Sequence, residues 1–523
     1  MVLADGAPES KKYEVTYNLK PKVENYYDVL LKKERLPIFK HAMTPFILES
    51  LTGYKAYIDS IETKSEGNYN KVYYNVERVM HKTDNFIFGL SMSSERIRKY
   101  EALATNAASL QQWYIGDGMT YILADEEQYS GKWWANADPY YMPGTTVDST
   151  VRVLIPTNDM PMPENTWSGG VTNGKYGVAG MVLGNEAVSG LNGIKSYFML
   201  DDEVVFIGSG ITGGNGRVYT VVDNYMAKDE AVYVNGEALN PETNKEYTYD
   251  NPSYISVEGG HGYVFMGNSN VSVNKKEYIE ESPYFVTTIN HPTKNNDGYS
   301  YIILPKTENS KVEEYAKNPD VEIISSDNKM HAVRDKKSGM IMANIFEPSV
   351  LDGISFETPC CAIIEKNGNK KTIYVSDPTF KKETIVLNLP NGEKSDSNQY
   401  CKAEGNKVTV DITATIGRTY SFTVTGNDSE SYGTPAIKTY NYNLTLNKKT
   451  VTTKLYAGDG TTSLSYRLST YPKHGIASLV GDTLIYTALS SSEFYDSFEI
   501  EVTDNAKNSA KFNVKVKGMN TNE

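Results

Sequence analysis

The chain has 523 residues, 39% of them hydrophobic, and 52 Lys and Arg against 65 Asp and Glu give a formal charge of −13. That length exceeds one compact core and suggests roughly three or four domains. Net negative charge without a Lys/Arg-rich run argues against nucleic acid or an anionic membrane as partner, since both demand a concentrated basic surface, and no apolar run reaches the ~20 residues of a membrane span.

Residues 1–12 are polar, read as a tail, and show no basic-then-apolar signal-peptide pattern. Residues 23–61 are predicted helical, with apolar Val23, Tyr26, Tyr27, Leu30 and Leu31 and then Ile47, Leu48, Leu51, Tyr54 and Ile58, interrupted at Pro37 and Pro45. Past a turn at residues 66–70 the period becomes two. Val72, Tyr74 and Val76, then Phe86, Phe88 and Leu90, alternate as strands with one face on a core. Turn signals recur for three hundred residues, among them Asn173-Gly174, Asn192-Gly193, Asn235-Gly236 and the Asn367-Gly368-Asn369 hairpin. Forty Tyr and fifteen Phe, with many Thr, Val, Asn and Gly, fit the same mainly β class.

Residues 426–435 have linker composition. Beyond them Phe498, Ile500 and Val502, then Phe512, Val514 and Val516, alternate as a small separate sandwich. The expected organisation is a tail with helices over 1–70, a large antiparallel multi-sheet sandwich over 71–322, a smaller sandwich over 323–425, the linker, and a terminal sandwich over 436–523. Cys360, Cys361 and Cys401 are too few for a disulfide framework and read as buried strand thiols, a bridge from Cys401 to one neighbour staying open.

Chemistry concentrates at residues 95–148, which hold three of the four tryptophans among glycines, amides and carboxylates, a mixture suited to sugar. Trp113 and Tyr114 are candidate sugar contacts, with core packing the alternative for Tyr114. Trp133 and Trp134 would point to opposite faces of a strand, leaving Trp134 as the candidate stacking platform. Arg96 and Arg98 could pair with a uronate carboxylate or serve as ordinary ion-pair residues. Asp117, between two glycines, reads as a turn residue. The six histidines, His41, His81, His261, His291, His331 and His474, have no metal-ligand spacing and read as structural. Asp201-Asp202-Glu203 and Asn295-Asn296-Asp297 read as solvated turns, with structural calcium the alternative and no cofactor evident. Gly213-Gly214-Asn215-Gly216 precedes a strand and so makes no helix-borne phosphate cradle.

Arg78-Val79-Met80-His81, residues 86–94, Arg96-Ile97, Tyr100-Glu101, Trp113-Tyr114-Ile115-Gly116-Asp117-Gly118-Met119-Thr120 and Pro143-Gly144-Thr145-Thr146-Val147-Asp148 occur in order. They are followed by Ser168-Gly169-Gly170, Lys195-Ser196-Tyr197-Phe198, Gly208-Ser209-Gly210-Ile211, residues 301–305 and His331-Ala332-Val333. This series resembles the central sandwich of polysaccharide lyase family 8, which contains hyaluronate, chondroitin and xanthan lyases, and spans about residues 70–420. Tyr471-Pro472-Lys473-His474-Gly475 and Leu484-Ile485-Tyr486-Thr487 are similar to bacterial immunoglobulin- or cadherin-like modules, which act as spacers or adhesive units.

The resemblance implies a super-sandwich acting on an acidic polysaccharide by β-elimination at a uronate. It also implies that catalytic Asn, His, Tyr and Arg residues come from an N-terminal helical toroid, of which residues 23–61 match only the last helices. Before Trp113 the family carries Asn-Gly-Glu-Asn, where this chain departs with Asn106-Ala107-Ala108-Ser109, so the glutamate and second asparagine that would face the substrate are gone and Asn106 and Ser109 are the candidate positions that remain there. The expected protein is the sandwich portion of a lyase, secreted or at the cell surface, inactive unless a toroid domain completes it, with an acidic polysaccharide, a separate toroid domain or other copies of itself as candidate partners. The alternative is a non-catalytic carbohydrate-binding or surface assembly protein on the same scaffold.

Overall fold

The computed structural model describes residues 68–518 apart from short segments at 102–112, 125–127, 130–132, 134–136, 153–161, 185–188, 227–230, 278–282, 427–441, 447, 456–463, 491–492 and 504–508. The helical reading of residues 23–61 and nearly all of the linker lie outside them. The described chain is mainly β, and among its residues no helix is long and apolar enough to cross a membrane.

The centre is a nine-stranded sheet in the order Glu237–Leu239, Val232–Val234, Tyr254–Val257, Gly262–Phe265, Asp297–Leu304, Val204–Thr212, Asn192–Met199, Gly177–Val182 and Ser168–Thr172. Side chains alternate across a strand, so the continuous apolar run Val204-Val205-Phe206-Ile207 feeds two cores at once. Val204 and Phe206 enter a core shared with a four-stranded sheet (Tyr69–Tyr73, Arg78–Lys82, Ile87–Met92, Asp117–Leu123) and with a five-stranded sheet that includes Tyr219–Met226, Asn270–Glu277 and Pro283–Asn290. Val205 and Ile207 enter a second core, shared with a seven-stranded sheet whose inner strands include Met330–Asp335, Ile341–Ile345 and Cys360–Asn367. The seven-stranded sheet buries its other face on another five-stranded sheet (Ser349–Leu351, Ile354–Phe356, Thr384–Asn388, Lys407–Asp411, Cys401–Glu404). The result is a layered super-sandwich. Four- and three-stranded sheets around their own core form the terminal sandwich.

Adjacent Cys360 and Cys361 fall into different cores for the same alternating reason. All three cysteines are free and buried, so the open Cys401 bridge does not form. Asn235 and Gly236, at φ 51° and 88°, make the two-residue hairpin expected of Asn-Gly.

Two sequence readings are corrected. The first strand stops at Tyr73, and Val76 lies in a turn, exposed, because Glu77 adopts a left-handed φ of 53° that carries its carboxylate inward to Ser94 and Arg96. Asn192-Gly193 is no turn. It opens the strand Asn192–Met199, with a bulge before Ile194, where a glycine permits close packing of Ile211.

Between the nine- and seven-stranded sheets runs a buried polar line. His331 bonds Ser196 Oγ and Ser209 Oγ, both at 2.8 Å, while Asn344 Nδ2 donates to Ser196 Oγ at 2.8 Å and to the Ala179 carbonyl at 2.9 Å. A side chain at position 180 would occupy the space of the Asn344 amide, which accounts for Gly180. His81 contacts the Leu200 carbonyl at 2.7 Å, and His291 the Thr220 hydroxyl at 2.8 Å.

Burial holds His81 and His291 down to about 4 and His331 to about 3. An unfolded histidine titrates near 6.5, so below that pH the unfolded chain takes up protons that the folded chain refuses. Stability is therefore complete above about pH 6.5 and falls toward pH 4, by up to roughly 1.4 kcal/mol per pH unit for each histidine. Denaturant midpoints measured from pH 7 to 4.5 check this. A flat profile contradicts it, and His331→Asn should flatten the slope by one histidine's share.

Candidate functional site

The described residues of the stretch 95–152 divide their side chains between a buried support and an open groove. The support begins at Glu77, whose buried carboxylate accepts from Ser94 Oγ and pairs with Arg96 Nη2 at 2.8 Å. Arg96 also donates to the carbonyls of Thr166 (2.9 Å), Ser168 (2.9 Å), Pro378 (3.1 Å) and Thr379 (3.2 Å), and its guanidinium lies 4.3 Å from the Phe380 ring centroid. Arg96 is thus a clamp between the Ser168–Thr172 edge and the loop after Ser376. This corrects its candidacy as a carboxylate-binding residue, because its terminal nitrogens are already engaged by protein acceptors.

Tyr114 is corrected as well. It is 1% exposed, lies in a core with Val147, Tyr219 and Val221, and accepts from Arg152 Nε at 3.0 Å, so its ring is closed to a sugar. Trp113, the preceding residue, is half-buried. Its ring lies 5.6 Å from Tyr100, with the Arg152 guanidinium 5.4 Å from its centroid. Its indole nitrogen is buried without a hydrogen-bond partner among the described residues. Trp133 is fully buried, donating to the Asn224 carbonyl at 3.2 Å. Asn106, Ser109 and Trp134 lie outside the described residues.

Arg152, which no sequence motif marked, holds this support together. It pairs with Asp148 at 3.2 Å, four residues before it, and both side chains are buried. Burial alone would raise the Asp148 carboxyl, but hydrogen bonds from the Asn215 amide and from Thr150, with the Arg152 charge, hold it below the usual carboxylate range. The only forward signal was the Asp148-to-Arg152 spacing. Asp117 closes a turn, its amide donating to the Tyr114 carbonyl at 3.0 Å, and opens the strand Asp117–Leu123, while its carboxylate pairs with Lys99 at 3.0 Å. Beneath it Lys195 donates to the Gly144 and Asp117 carbonyls, and burial lowers its pKa to about 7.

The groove is lined by Arg78, Arg96, Ile97, Arg98, Tyr100, Glu101 and Met162. Arg78 is turned to the carbonyls of Val76, Glu77 and Met92. Arg98 is exposed, with no ion pair or hydrogen bond among the described residues. The chemistry on offer is the available guanidinium of Arg98 at the rim, above Tyr100, which is itself buried (7% exposed) against Trp113 and forms the floor, since Arg78 and Arg96 are spent on protein acceptors. That suits a carboxylated, ring-bearing ligand.

The other polar clusters have protein partners. Asp201 accepts from Lys175 at 3.0 Å and Tyr176 at 2.5 Å, Asp202 lies 3.5 Å from Lys337, and Asp297 accepts from Thr293 Oγ1 and the Lys294 amide. Among the described residues no group of three or more His, Cys, Asp or Glu is placed to hold a metal.

Two substitutions separate support from groove. Arg96→Met strands the Glu77 carboxylate and should cost about 3 kcal/mol, whereas Arg98→Ala should change stability by no more than about 0.5 kcal/mol. Gly118 sits at φ 86°, where an added Cβ would overlap the Tyr197 hydroxyl. Gly118→Ala should therefore cost about 2 to 5 kcal/mol, from backbone strain and overpacking together. Chemical unfolding of the three variants tests both statements; equal stability of the Arg96 and Arg98 variants would remove the distinction drawn here.

This geometry sits within recognisable relatives. Residues 68–316 match the polysaccharide lyase family 8 super-sandwich domain, and residues 322–386 match the family's C-terminal beta-sandwich domain. Xanthan lyase of Bacillus sp. (strain GL1) is 30% identical over 411 residues, covering 72% of this chain and 42% of that protein. Hyaluronate lyase HylB of Enterococcus faecalis is 28% identical over 358 residues, covering 61% of this chain and 35% of that protein. The solved Paenibacillus xanthan lyase shares the fold, with a TM-score of 0.63 at 23% identity over 87% of this chain and 45% of that one. The chain spans less than half the length of these relatives. The two domain matches together take in more than half of the sequence, and by them the chain belongs to polysaccharide lyase family 8.

Proposed function

We propose that the chain is the sandwich portion of a polysaccharide lyase, that it binds an acidic polysaccharide along the Arg98–Tyr100 groove, and that it supports β-elimination only when completed by a toroid domain. The observation that carries this reading is the open guanidinium of Arg98 beside an aromatic ring, on a scaffold whose relatives are hyaluronate and xanthan lyases. Elimination at a uronate needs a group that neutralises the carboxylate, a base near C5 and an acid at the leaving oxygen. Arg98 can supply the first. Of the described histidines, His81, His261, His291 and His331 are buried, and His474 belongs to the terminal sandwich, so none offers a base to the groove. An enzyme of this class meets its substrate outside the cell, which makes secretion or surface display part of the proposal.

Binding to hyaluronan, chondroitin sulfate and xanthan, measured alongside ultraviolet absorbance of the unsaturated uronate, tests it. Binding without a rise in absorbance is expected. Arg98→Ala should weaken the groove's contribution about five- to ten-fold, the roughly 1 to 1.4 kcal/mol of one net hydrogen bond at an exposed site. A steady rise in absorbance overturns the need for a toroid, and failure to bind any of the three glycans overturns the groove assignment.

A further inference from the structure

The terminal sandwich carries a charge pattern opposite to that of the chain as a whole. Residues 442–518 include nine Lys and Arg against seven Asp and Glu, where the full sequence has 52 against 65. The excess gathers on one face.

In the four-stranded sheet, Ser509–Gly518 lies between Tyr442–Leu446, paired parallel, and Phe494–Thr503, paired antiparallel. The alternation that buries Val514, Val516, Phe494 and Phe498 sends Lys515, Lys517, Tyr495 and Ser497 outward. Register sets Tyr495 opposite Lys517 and Ser497 opposite Lys515, with Thr445 and Asn443 completing the two rows. Directly opposed side chains stand about 5 Å apart, so these rows form a continuous polar surface around one ring. Tyr495 is 68% exposed, and the Lys517 ammonium lies 5.6 Å from its centroid.

The wall of this groove is built, not incidental. The buried Asp496 carboxylate accepts from the Lys473 amide (2.9 Å), the His474 amide (2.8 Å), the Ser497 amide (3.0 Å) and the Tyr486 hydroxyl (2.8 Å). Those bonds pin residues 473–474 against the strand. The His474 ring stacks on Phe494 at 5.5 Å, and the Lys473 side chain is left exposed at the groove's edge. Neither Lys473 nor Lys515 has an ion-pair partner among the described residues, while Lys517 has Glu493 at 3.7 Å.

We propose that this face, with Tyr495 as platform and Lys473, Lys515 and Lys517 as cations, is a second binding site for acidic polysaccharide, an inference that rests on the function proposed above. An exposed phenol presents a flat apolar face to a pyranose ring, while ammonium groups spaced along a strand meet the repeated carboxylates of a uronate polymer. Three lysines rimmed by Glu493 and Glu499 make a site for sparse charge, below what a nucleic-acid backbone demands.

The test uses the full chain with labelled hyaluronan oligosaccharides, neutral dextran and single-stranded DNA as controls, and the variants K473E/K515E, Y495A and R98A. All substitutions are at exposed positions, and unchanged thermal unfolding confirms folding. Two binding components are expected for hyaluronan. K473E/K515E should weaken one of them about ten-fold or more and reduce its salt dependence, Y495A should weaken the same component about five-fold, and R98A should leave it unchanged. Loss of binding with R98A alone overturns this site while sustaining the groove. Loss with K473E/K515E but not with R98A sustains this site and overturns the groove. Equal affinity for dextran or DNA overturns the acidic-polysaccharide assignment.

Discussion

The fold depends on a sheet that is buried on both faces. A strand such as Val204–Thr212 serves two cores, and a one-residue slip would exchange every side chain between them. Apolar packing alone does not fix how one sheet lies on the next, because many aliphatic surfaces fit one another nearly as well. The Ser196–His331–Ser209 line and the Asn344 amide supply what packing leaves open. Each polar group there loses a costly hydrogen bond if the seven-stranded sheet shifts, since no water replaces the partner.

The same economy governs the edge where the groove lies. Of the aromatic and basic residues concentrated at 95–152, most are consumed in building it: Tyr114 and Trp133 in packing, Arg96 across to Thr379, Arg152 on Asp148. Trp113 stands behind Tyr100 and ahead of Arg152, a stack whose rear is fixed by an ion pair. Tyr100 is buried, so this packing fixes the floor beneath Arg98, and a rigid floor lowers the ordering cost of binding.

How much of this the sequence disclosed follows from the range of each interaction. Alternation is local, so Phe88, Leu90, Phe498 and Val514 were readable as core from their spacing. The ordered motifs between Arg78 and His331 likewise pointed to the super-sandwich before any coordinates. For Arg96 the ion-pair alternative is the one the structure shows, and local pattern could not decide it because its acceptors Pro378 and Thr379 lie more than 280 positions away. Tyr114 resolves to the core-packing alternative, which sequence leaves open because adjacent aromatics announce a change of face without saying which is inside. Asn192-Gly193 has turn chemistry, yet the neighbouring strand Val204–Thr212 recruits it, tertiary pairing overriding local preference. The Asn106, Ser109 and Trp134 assignments fall on residues outside the described structure.

A chain of charge −13 and an acidic polymer repel one another at long range, so attraction has to be arranged locally. At physiological ionic strength screening cuts interactions between exposed charges over about 8 Å, so the distant acidic surface matters less than the few cations beside the ligand. Arg98 at the groove and Lys473, Lys515 and Lys517 on the terminal sandwich are such cations, the lysines set around the exposed ring of Tyr495. Either site alone would be weak, as a handful of exposed charges is. A polymer presents the same carboxylate many times, however, and occupancy of one site raises the effective concentration at the other. If one polymer spans both of the proposed sites, two modest sites would hold a polysaccharide that neither would retain alone.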